Sequence, residues 1–598
     1  MKELSEQVRR VSVLRNELFK RNLSGFLIPH ADEYQNEYTP DSAERLQWLT
    51  GFTGSAGVAV AMQDTGAIFV DGRYVLQVKT EVHPSCFEPY HSAEMSLTEW
   101  LSAVLQPGSK LGYDPWLHTF DDVERLRVVC EQAQAELVAS IPNPVDVAWT
   151  DRPAVPLTAM IPHPLHFTGK DSREKREELG RKLREDRIGA AVITSPDSLA
   201  WLLNIRGSDL AYTPLSLCMG IVFHDGSVRL FVQEQKLTPQ ILEHFGPTVF
   251  PCSLDTFERE LEQLGQQHIR VLCDPRKTPS WILDRLKQYD ARVVHGDDPC
   301  VMPKACKNMV EVQGARNAHI RDGAALCRFL AWLNRESPSG EVTELDAAKY
   351  LDACRQQNDF WQDMSFPTIS GAGANGAIIH YRSTPESNIR LDFGTLYLVD
   401  SGAQYLDGTT DVTRTVAIGT PTAEHRDRYT RVLKGHIALA SVRFPKGTTG
   451  SQLDVLARTS LWEAGLDYDH GTGHGVGSYL GVHEGPQRIS KAGGSVALHP
   501  GMIVSNEPGY YKAGAYGIRI ESLVLVISCA DVVGAERELY AFETLTLAPF
   551  DRNLIERTLL HDEEIAWINA YHARVYEVVC SIVDDETVAW LRDATHPL

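Results

Sequence analysis

Leu396-Tyr397-Leu398-Val399-Asp400, then Asp407-Gly408, then Thr410-Asp411-Val412-Thr413-Arg414-Thr415-Val416 read as a strand, a turn and a returning strand. An apolar run, an Asp-Gly pair and a β-branched run in that order mark a hairpin. With Leu406 facing Thr409 across the turn, Asp400 faces Thr415, and Thr415 shares a face with Asp411 by the two-residue alternation of strands. Both carboxylates then project from one side. Two acids on one buried face repel unless they are protonated or joined by a cation. Asp407 itself has the ordinary role of a turn former.

Downstream, His470-Gly471-Thr472-Gly473-His474-Gly475-Val476-Gly477 alternates glycine with other residues, which lets another backbone or a ligand approach closely. In an extended strand His470 and His474 share a face but stand about 13 Å apart, too far to bind one ion together. One is expected to be a ligand and the other a pocket residue. Val504-Ser505-Asn506-Glu507-Pro508-Gly509 places a glutamate where a strand ends in a turn, and Gly517-Ile518-Arg519-Ile520-Glu521 turns Arg519 and Glu521 the same way from an apolar strand. Taken singly, such residues are more often structural; together they balance. Four carboxylates (Asp400, Asp411, Glu507, Glu521) against two divalent ions leave no net charge, with neutral His474 as a fifth ligand. An oxygen-rich set with one imidazole favours manganese, with cobalt, iron or zinc as substitutes.

Farther out, two segments near the front follow one plan. Helical periodicity (Leu4, Val8, Val11, Leu14, Leu18), Gly25-Phe26-Leu27-Ile28, Trp48-Leu49 and Ala67-Ile68-Phe69-Val70 are echoed by Leu179 and Leu183, Gly189-Ala190-Ala191-Val192-Ile193, Trp201-Leu202-Leu203 and Val228-Arg229-Leu230-Phe231-Val232. The recurrence predicts two related α/β domains. Pro142-Asn143-Pro144 through Arg152-Pro153, and Asp297-Asp298-Pro299 through Pro303, punctuate the chain as junctions. Beyond them a long helix over 308–333, glycine-punctuated strands from Phe366, helices over 423–442 and 451–464, and a closing helical segment 562–591 predict an α+β domain with a largely antiparallel sheet. The division expected is 1–150, 151–303, 304–535 and 536–598.

Bulk properties narrow the function. The chain has 598 residues with 43% hydrophobic and 23% charged, 58 Lys+Arg against 79 Asp+Glu, and a formal net charge of −21. That composition is ordinary for a globular protein of several domains. The acidity and the lack of a dense Lys/Arg block argue against nucleic acid or an anionic membrane as partner. No long apolar stretch and no basic-then-apolar leader are present, so an intracellular protein is expected. The 11 cysteines are scattered without a Cys-x-x-Cys pair, as reduced buried thiols are. Gly371-Ala372-Gly373-Ala374-Asn375-Gly376 fits G-x-G-x-x-G, yet the next residues alternate toward His380 and Tyr381 instead of opening a helix, so a glycine loop beside the site is expected rather than a dinucleotide fold. His483-Glu484 lacks the second histidine of H-E-x-x-H.

The stretches 398–405, 407–415, 470–477, Val482-His483-Glu484-Gly485-Pro486, Asn506-Glu507-Pro508-Gly509-Tyr510-Tyr511 and 517–521 resemble the motifs of the aminopeptidase P (Xaa-Pro aminopeptidase) family, in its long, three-domain cytosolic form. The resemblance extends over nearly the whole chain, including Asp151-Arg152-Pro153, His319-Ile320-Arg321-Asp322-Gly323 and the tail around Trp567. It implies two creatinase-like N-terminal α/β domains, a pita-bread catalytic domain and a C-terminal helical extension. It also implies that Asp400 binds one ion, Asp411 and Glu521 bridge both, and His474 and Glu507 hold the other. His380 would assist beside the metals, and His470 and His483 would line the proline pocket and steady the intermediate. The expected reaction is attack of a metal-bridging hydroxide on the carbonyl before a proline in second position. Glu507 would shuttle the proton, and Arg519 would orient the metal-bound carboxylates. A cytoplasmic homodimer is implied by resemblance alone. The rivals are a prolidase with the same metal set and a metal-free binding module.

Overall fold

A computed structural model describes residues 2–530 and 532–598, with side chains from residue 6 onward. Residues up to Leu165 together with Lys170–Val301 form one compact unit, and His166–Gly169 with Met302–Leu598 form a second.

In the first unit the helix Lys2–Lys20 precedes the strand Gly25–Pro29, and the helix Ser172–Glu185 precedes Ala190–Ile193. Each of these strands sits inside a six-stranded sheet. The first sheet runs Glu88–His91, Gly66–Val70, Val58–Met62, Gly25–Pro29, Lys110–Tyr113, Glu136–Ala139. The second runs Val249–Cys252, Val228–Phe231, Met219–Phe223, Ala190–Ile193, Arg270–Cys273, Arg292–His295. Position for position, both follow the same sequence of parallel, antiparallel, antiparallel, parallel and parallel pairings. The expected repeat therefore extends to strand order and direction. Equivalent turns of the two copies meet: Thr119 bridges Pro279, and Trp116 stacks on Trp281 with ring centroids 4.4 Å apart.

The second unit opens on the helix Met309–Glu336. Asn308 caps it by accepting the Val310 and Glu311 N–H groups, while Glu311 accepts the Asn308 N–H, a reciprocal cap that fixes the start. All strand pairings between 361 and 544 are antiparallel. One sheet joins Ile369–Ala372, Leu396–Ser401 and Val412–Ala417; another joins Phe444–Pro445, Leu539–Thr544, Ser522–Cys529 and Ile503–Asn506. Helices Ala423–Ser441 and Gly450–Trp462 stand close to the expected spans, and a further helix, Glu344–Gln356, escaped the sequence reading.

Two expectations need correction. Tyr405 pairs with Gly408 and Asp400 with Thr413, so the hairpin register is shifted by two residues from the one read from the sequence. Leu406 and Asp407 form the two-residue turn, one residue earlier than the Asp407-Gly408 turn expected. A slip of two preserves the face, which is why Asp400 and Asp411 still converge. The closing helical segment is two helices, Asp562–Val579 and Asp585–Ala594, because Asp584 caps the second by accepting the Thr587 N–H. The segment from 536 also supplies a strand, Leu539–Thr544, interior to its sheet. Val575, Phe550 and Ile568 pack with Leu396, Val432, Leu433, Ile518 and Ile520 in one buried cluster, each aliphatic side chain contributing roughly 1.5–3 kcal/mol. No helix among the described residues is long and apolar enough to cross a membrane.

Candidate metal centre

Four strand ends bring the acids together. Asp400 lies near the end of Leu396–Ser401, Asp411 just before Val412–Ala417, Glu507 just after Ile503–Asn506, and Glu521 between Tyr516–Arg519 and Ser522–Cys529. One ligand atom from each of Asp411, His474 and Glu521 falls within a sphere of mutual separations no greater than 4.8 Å. His474 Nε2 stands 3.4 Å from Asp411 Oδ2 and 3.5 Å from Glu507 Oε1. Asp400 joins through Arg519, whose Nη2 donates to its Oδ2 at 2.6 Å.

The backbone around His474 needs its glycines. A Cβ at Gly473 would lie 2.0 Å from the Ser505 carbonyl oxygen, and one at Gly475 1.9 Å from that of Glu484. The close approach read from the alternating glycines is therefore met, although the extended-strand reading holds only for Gly473–His474. The distance between His470 and His474 inferred from a full strand does not apply. Both rings instead flank one carboxylate, with His470 Nδ1 3.9 Å from Glu507 Oε2.

Hydrogen bonds fix which atoms are left for a ligand. His474 Nδ1 bonds the Gly475 carbonyl at 3.0 Å, so that nitrogen carries a proton and Nε2 is the atom left facing the acids, where a cation that displaced its proton would find a lone pair. Thr413 Oγ1 donates to Glu521 Oε2 at 2.8 Å and accepts from Arg519 Nε at 3.1 Å, so Arg519 and Glu521 do share a face. Ser505 Oγ donates to Glu507 Oε1 at 3.0 Å and accepts the His474 N–H at 2.9 Å. Asp400 Oδ1 and Asp411 Oδ1 are buried with no hydrogen-bond partner among the described residues. Orphaned, buried carboxylate oxygens are what a divalent cation would satisfy.

The electrostatics point the same way. Burial lifts the Asp400 carboxyl to about 7, against the pull of Arg519 and with repulsion from Asp411 adding to the rise. Burial and the charges of Asp411, Glu507 and Asp400 hold Glu521 well above the usual carboxylate range. For His474 burial opposes the charged form, but the Asp411 hydrogen bond and the Glu507 charge outweigh it and lift the ring to about 9. Crowded buried acids keep protons unless cations take their place.

The remaining histidines line the same place. The His483 ring packs edge-on against His474, centroids 4.3 Å apart, and His380 lies 6.5 Å from His483. His470 Nδ1 bonds the Gly471 carbonyl, and its Nε2 meets the Tyr511 hydroxyl at 2.8 Å. Arg519 Nη1 donates to that same hydroxyl at 2.7 Å, so one chain of hydrogen bonds runs from His470 through Tyr511 and Arg519 to Asp400. The sequence assigns Tyr511 no role, and its place in the 506–511 stretch is its only signal. Two more expectations shift. Asp407 is more than a turn former, because it is buried and pairs with Arg321 of the long helix. The glycine loop itself winds into a 3-10 turn over 373–377, and the residues after it, read as alternating toward His380 and Tyr381, continue as bend and turn through His380. Buried Glu344 anchors it by accepting the Ala372 N–H at 2.7 Å, Asn375 Nδ2 at 3.0 Å and the Tyr381 hydroxyl at 3.0 Å, beside His380.

The model of metallopeptidase family M24 matches residues 313–528, two creatinase/prolidase N-terminal domain models match 10–143 and 151–311, and the C-terminal region of peptidase M24 matches 538–598. Aminopeptidase P2 of Arabidopsis thaliana is 39% identical over 96% of this chain and 86% of its own length. The chain belongs to the aminopeptidase P family. A probable Xaa-Pro aminopeptidase P of Aspergillus niger is 38% identical over 98% of both chains. The crystal structure of the Caenorhabditis elegans X-prolyl aminopeptidase, described as a cytosolic enzyme with a di-nuclear active site, is 34% identical. It superposes with a TM-score of 0.95 over 99% of this chain and 100% of that one. An Xaa-Pro dipeptidase of Bacillus anthracis, 21% identical with a TM-score of 0.51 over 64% of this chain and 99% of its own, shares the fold alone. Membership of the aminopeptidase P family accounts for two creatinase-like domains ahead of an M24 pita-bread domain with a C-terminal region.

Proposed function

We propose that this protein hydrolyses the bond between the first residue and a proline in second position, releasing the first residue. The observation that carries the reading is the convergence of one ligand atom from each of Asp411, Glu521 and His474 within 4.8 Å, with orphaned oxygens on Asp400 and Asp411. Asp400 would hold one divalent ion, Asp411 and Glu521 both, and His474 and Glu507 the other, with manganese favoured by the oxygen-rich donor set. Bound there, the ions would polarise the carbonyl and make a shared water acidic enough to supply hydroxide near neutral pH.

The chain's own groups do the rest. Glu507, held by Ser505, takes the water's proton and delivers it to the prolyl nitrogen, which leaves only when protonated. His483 and His380 present N–H groups to the carbonyl oxygen as charge grows on it. His470, locked by Gly471 and Tyr511, forms one wall of the proline pocket. A free N-terminal amine near Asp400 restricts cleavage to the first bond. This reading takes residues 1–150 and 151–303 as the two creatinase-like domains, 304–535 as the catalytic domain and 536–598 as the extension. It places the protein in the cytoplasm as a homodimer, which sedimentation tests. The experiment for the activity is release of the first residue from Xaa-Pro-Yaa tripeptides and Xaa-Pro dipeptides, with manganese added and then chelated. Metal-dependent release from the tripeptide supports the reading; cleavage of the dipeptide alone makes the protein a prolidase.

A further inference from the structure

The C-terminal segment reaches the site through one buried cation. Arg414 lies on Val412–Ala417, three residues beyond Asp411, and its side chain is 1% exposed. Its partners are carbonyls and hydroxyls. Nη1 donates to the Thr413 carbonyl at 2.9 Å and to the Glu521 carbonyl. On its other side Nη2 donates to the Ala548 carbonyl at 2.7 Å and to the Tyr571 hydroxyl at 3.0 Å, and Nε reaches the Ala548 and Pro549 carbonyls at 3.2 and 3.3 Å. The Phe550 ring lies 4.8 Å from the guanidinium carbon. The Tyr571 hydroxyl also meets the Ala548 and Thr546 carbonyls at 2.9 and 3.0 Å, and its ring stacks on Phe550 and Trp567.

A guanidinium held this way is costly, because its desolvation is not offset by a facing carboxylate. Its location gives the reason. The two carbonyls that Nη1 grips belong to Glu521 and to Thr413, whose hydroxyl bonds the Glu521 carboxylate, and Asp411 stands two residues before Thr413. The planar fork spans both ligand-bearing strands at once, a geometry that an ammonium group cannot reproduce.

We propose that Arg414, held from behind by residues 546–550 and Tyr571, is a positioning residue for the carboxylates of Asp411 and Glu521. The C-terminal segment thereby serves as the outer support of the metal centre. The inference rests on the metal-centre reading above. Supports of this kind typically change metal affinity 10- to 100-fold when removed.

The test uses the full-length chain as wild type, Tyr571→Phe and Arg414→Lys. Tyr571→Phe keeps the ring stack and deletes only the hydroxyl. Manganese affinity is measured by calorimetry and chelator competition, the metal-free thermal midpoint by circular dichroism, and kcat and KM on an Xaa-Pro-Yaa tripeptide. Expected are manganese binding weakened about 10-fold in Tyr571→Phe and more in Arg414→Lys, with kcat lowered and KM unchanged. A lowered metal-free thermal midpoint with unaltered manganese affinity would mark a merely structural role and overturn the proposal. Should one variant fail to fold, the other decides. A wild type that binds no divalent ion overturns the metal-centre reading and this inference together; a wild type that binds two ions while folded variants bind them equally well overturns this inference alone.

Discussion

His436 and His572 are buried completely, and burial, reinforced by the nearby Arg414 charge, depresses both imidazoles to about 3. A base whose folded value lies below its unfolded one favours the folded state above the unfolded value, near 6.5, and loses that contribution as pH falls toward 3. Each histidine therefore adds up to about 1.4 kcal/mol of destabilisation per pH unit across that window. His572 Nε2 accepts the Phe550 N–H at 3.1 Å, so His572→Gln keeps an acceptor but cannot titrate. Urea midpoints between pH 7 and 4 should fall less steeply in His572→Gln than in wild type. A second residue-scale test concerns Arg355, which is buried and donates to both Asp322 oxygens at 2.8 and 3.1 Å and to the Ser401 carbonyl beside Asp400. Arg355→Met leaves Asp322 buried without its counter-charge, with the Tyr405 hydroxyl still donating to it, and should cost about 3–5 kcal/mol in urea unfolding.

At the scale of elements, the strand Tyr516–Arg519 runs hard against the glycine turn at 373–377: a Cβ on Gly517 would come 1.7 Å from the Gly376 carbonyl oxygen. Gly517→Ala must push that strand away, at a cost of roughly 1–3 kcal/mol. Because Arg519 ends the strand, kcat should fall with it, as assays at saturating metal would register. Sequence reading caught the elements whose signals are local. The hairpin follows from Asp407-Gly408 and flanking β-branched runs, and even its two-residue register error left Asp400 and Asp411 on one face. Helix Glu344–Gln356 and the break at 580–584 were missed, the second because one capping aspartate, Asp584, outweighed continued helical periodicity. Tyr511, Glu344 and Arg414 gained their roles from approaches across the fold, as in the 134 residues between Arg414 and Ala548. Periodicity within a segment carries no record of such pairings.

Across the whole molecule, the candidate metal centre lies in the second unit, and the first contributes two copies of one α/β plan. The −21 net charge argued at first only against polyanionic partners; four of the acids behind it now form the candidate metal centre. The central claim is that those acids and His474 hold two divalent ions that the hydrolysis requires. The direct measurement is the number of manganese ions per chain, by elemental analysis and calorimetry, taken on the same samples as Xaa-Pro-Yaa hydrolysis for wild type and His474→Ala. The account predicts two ions in wild type, loss of activity on chelation with recovery on manganese addition, and joint loss of an ion and of activity in His474→Ala. Full hydrolysis by metal-stripped protein, or a His474→Ala variant as active as the parent, would contradict it.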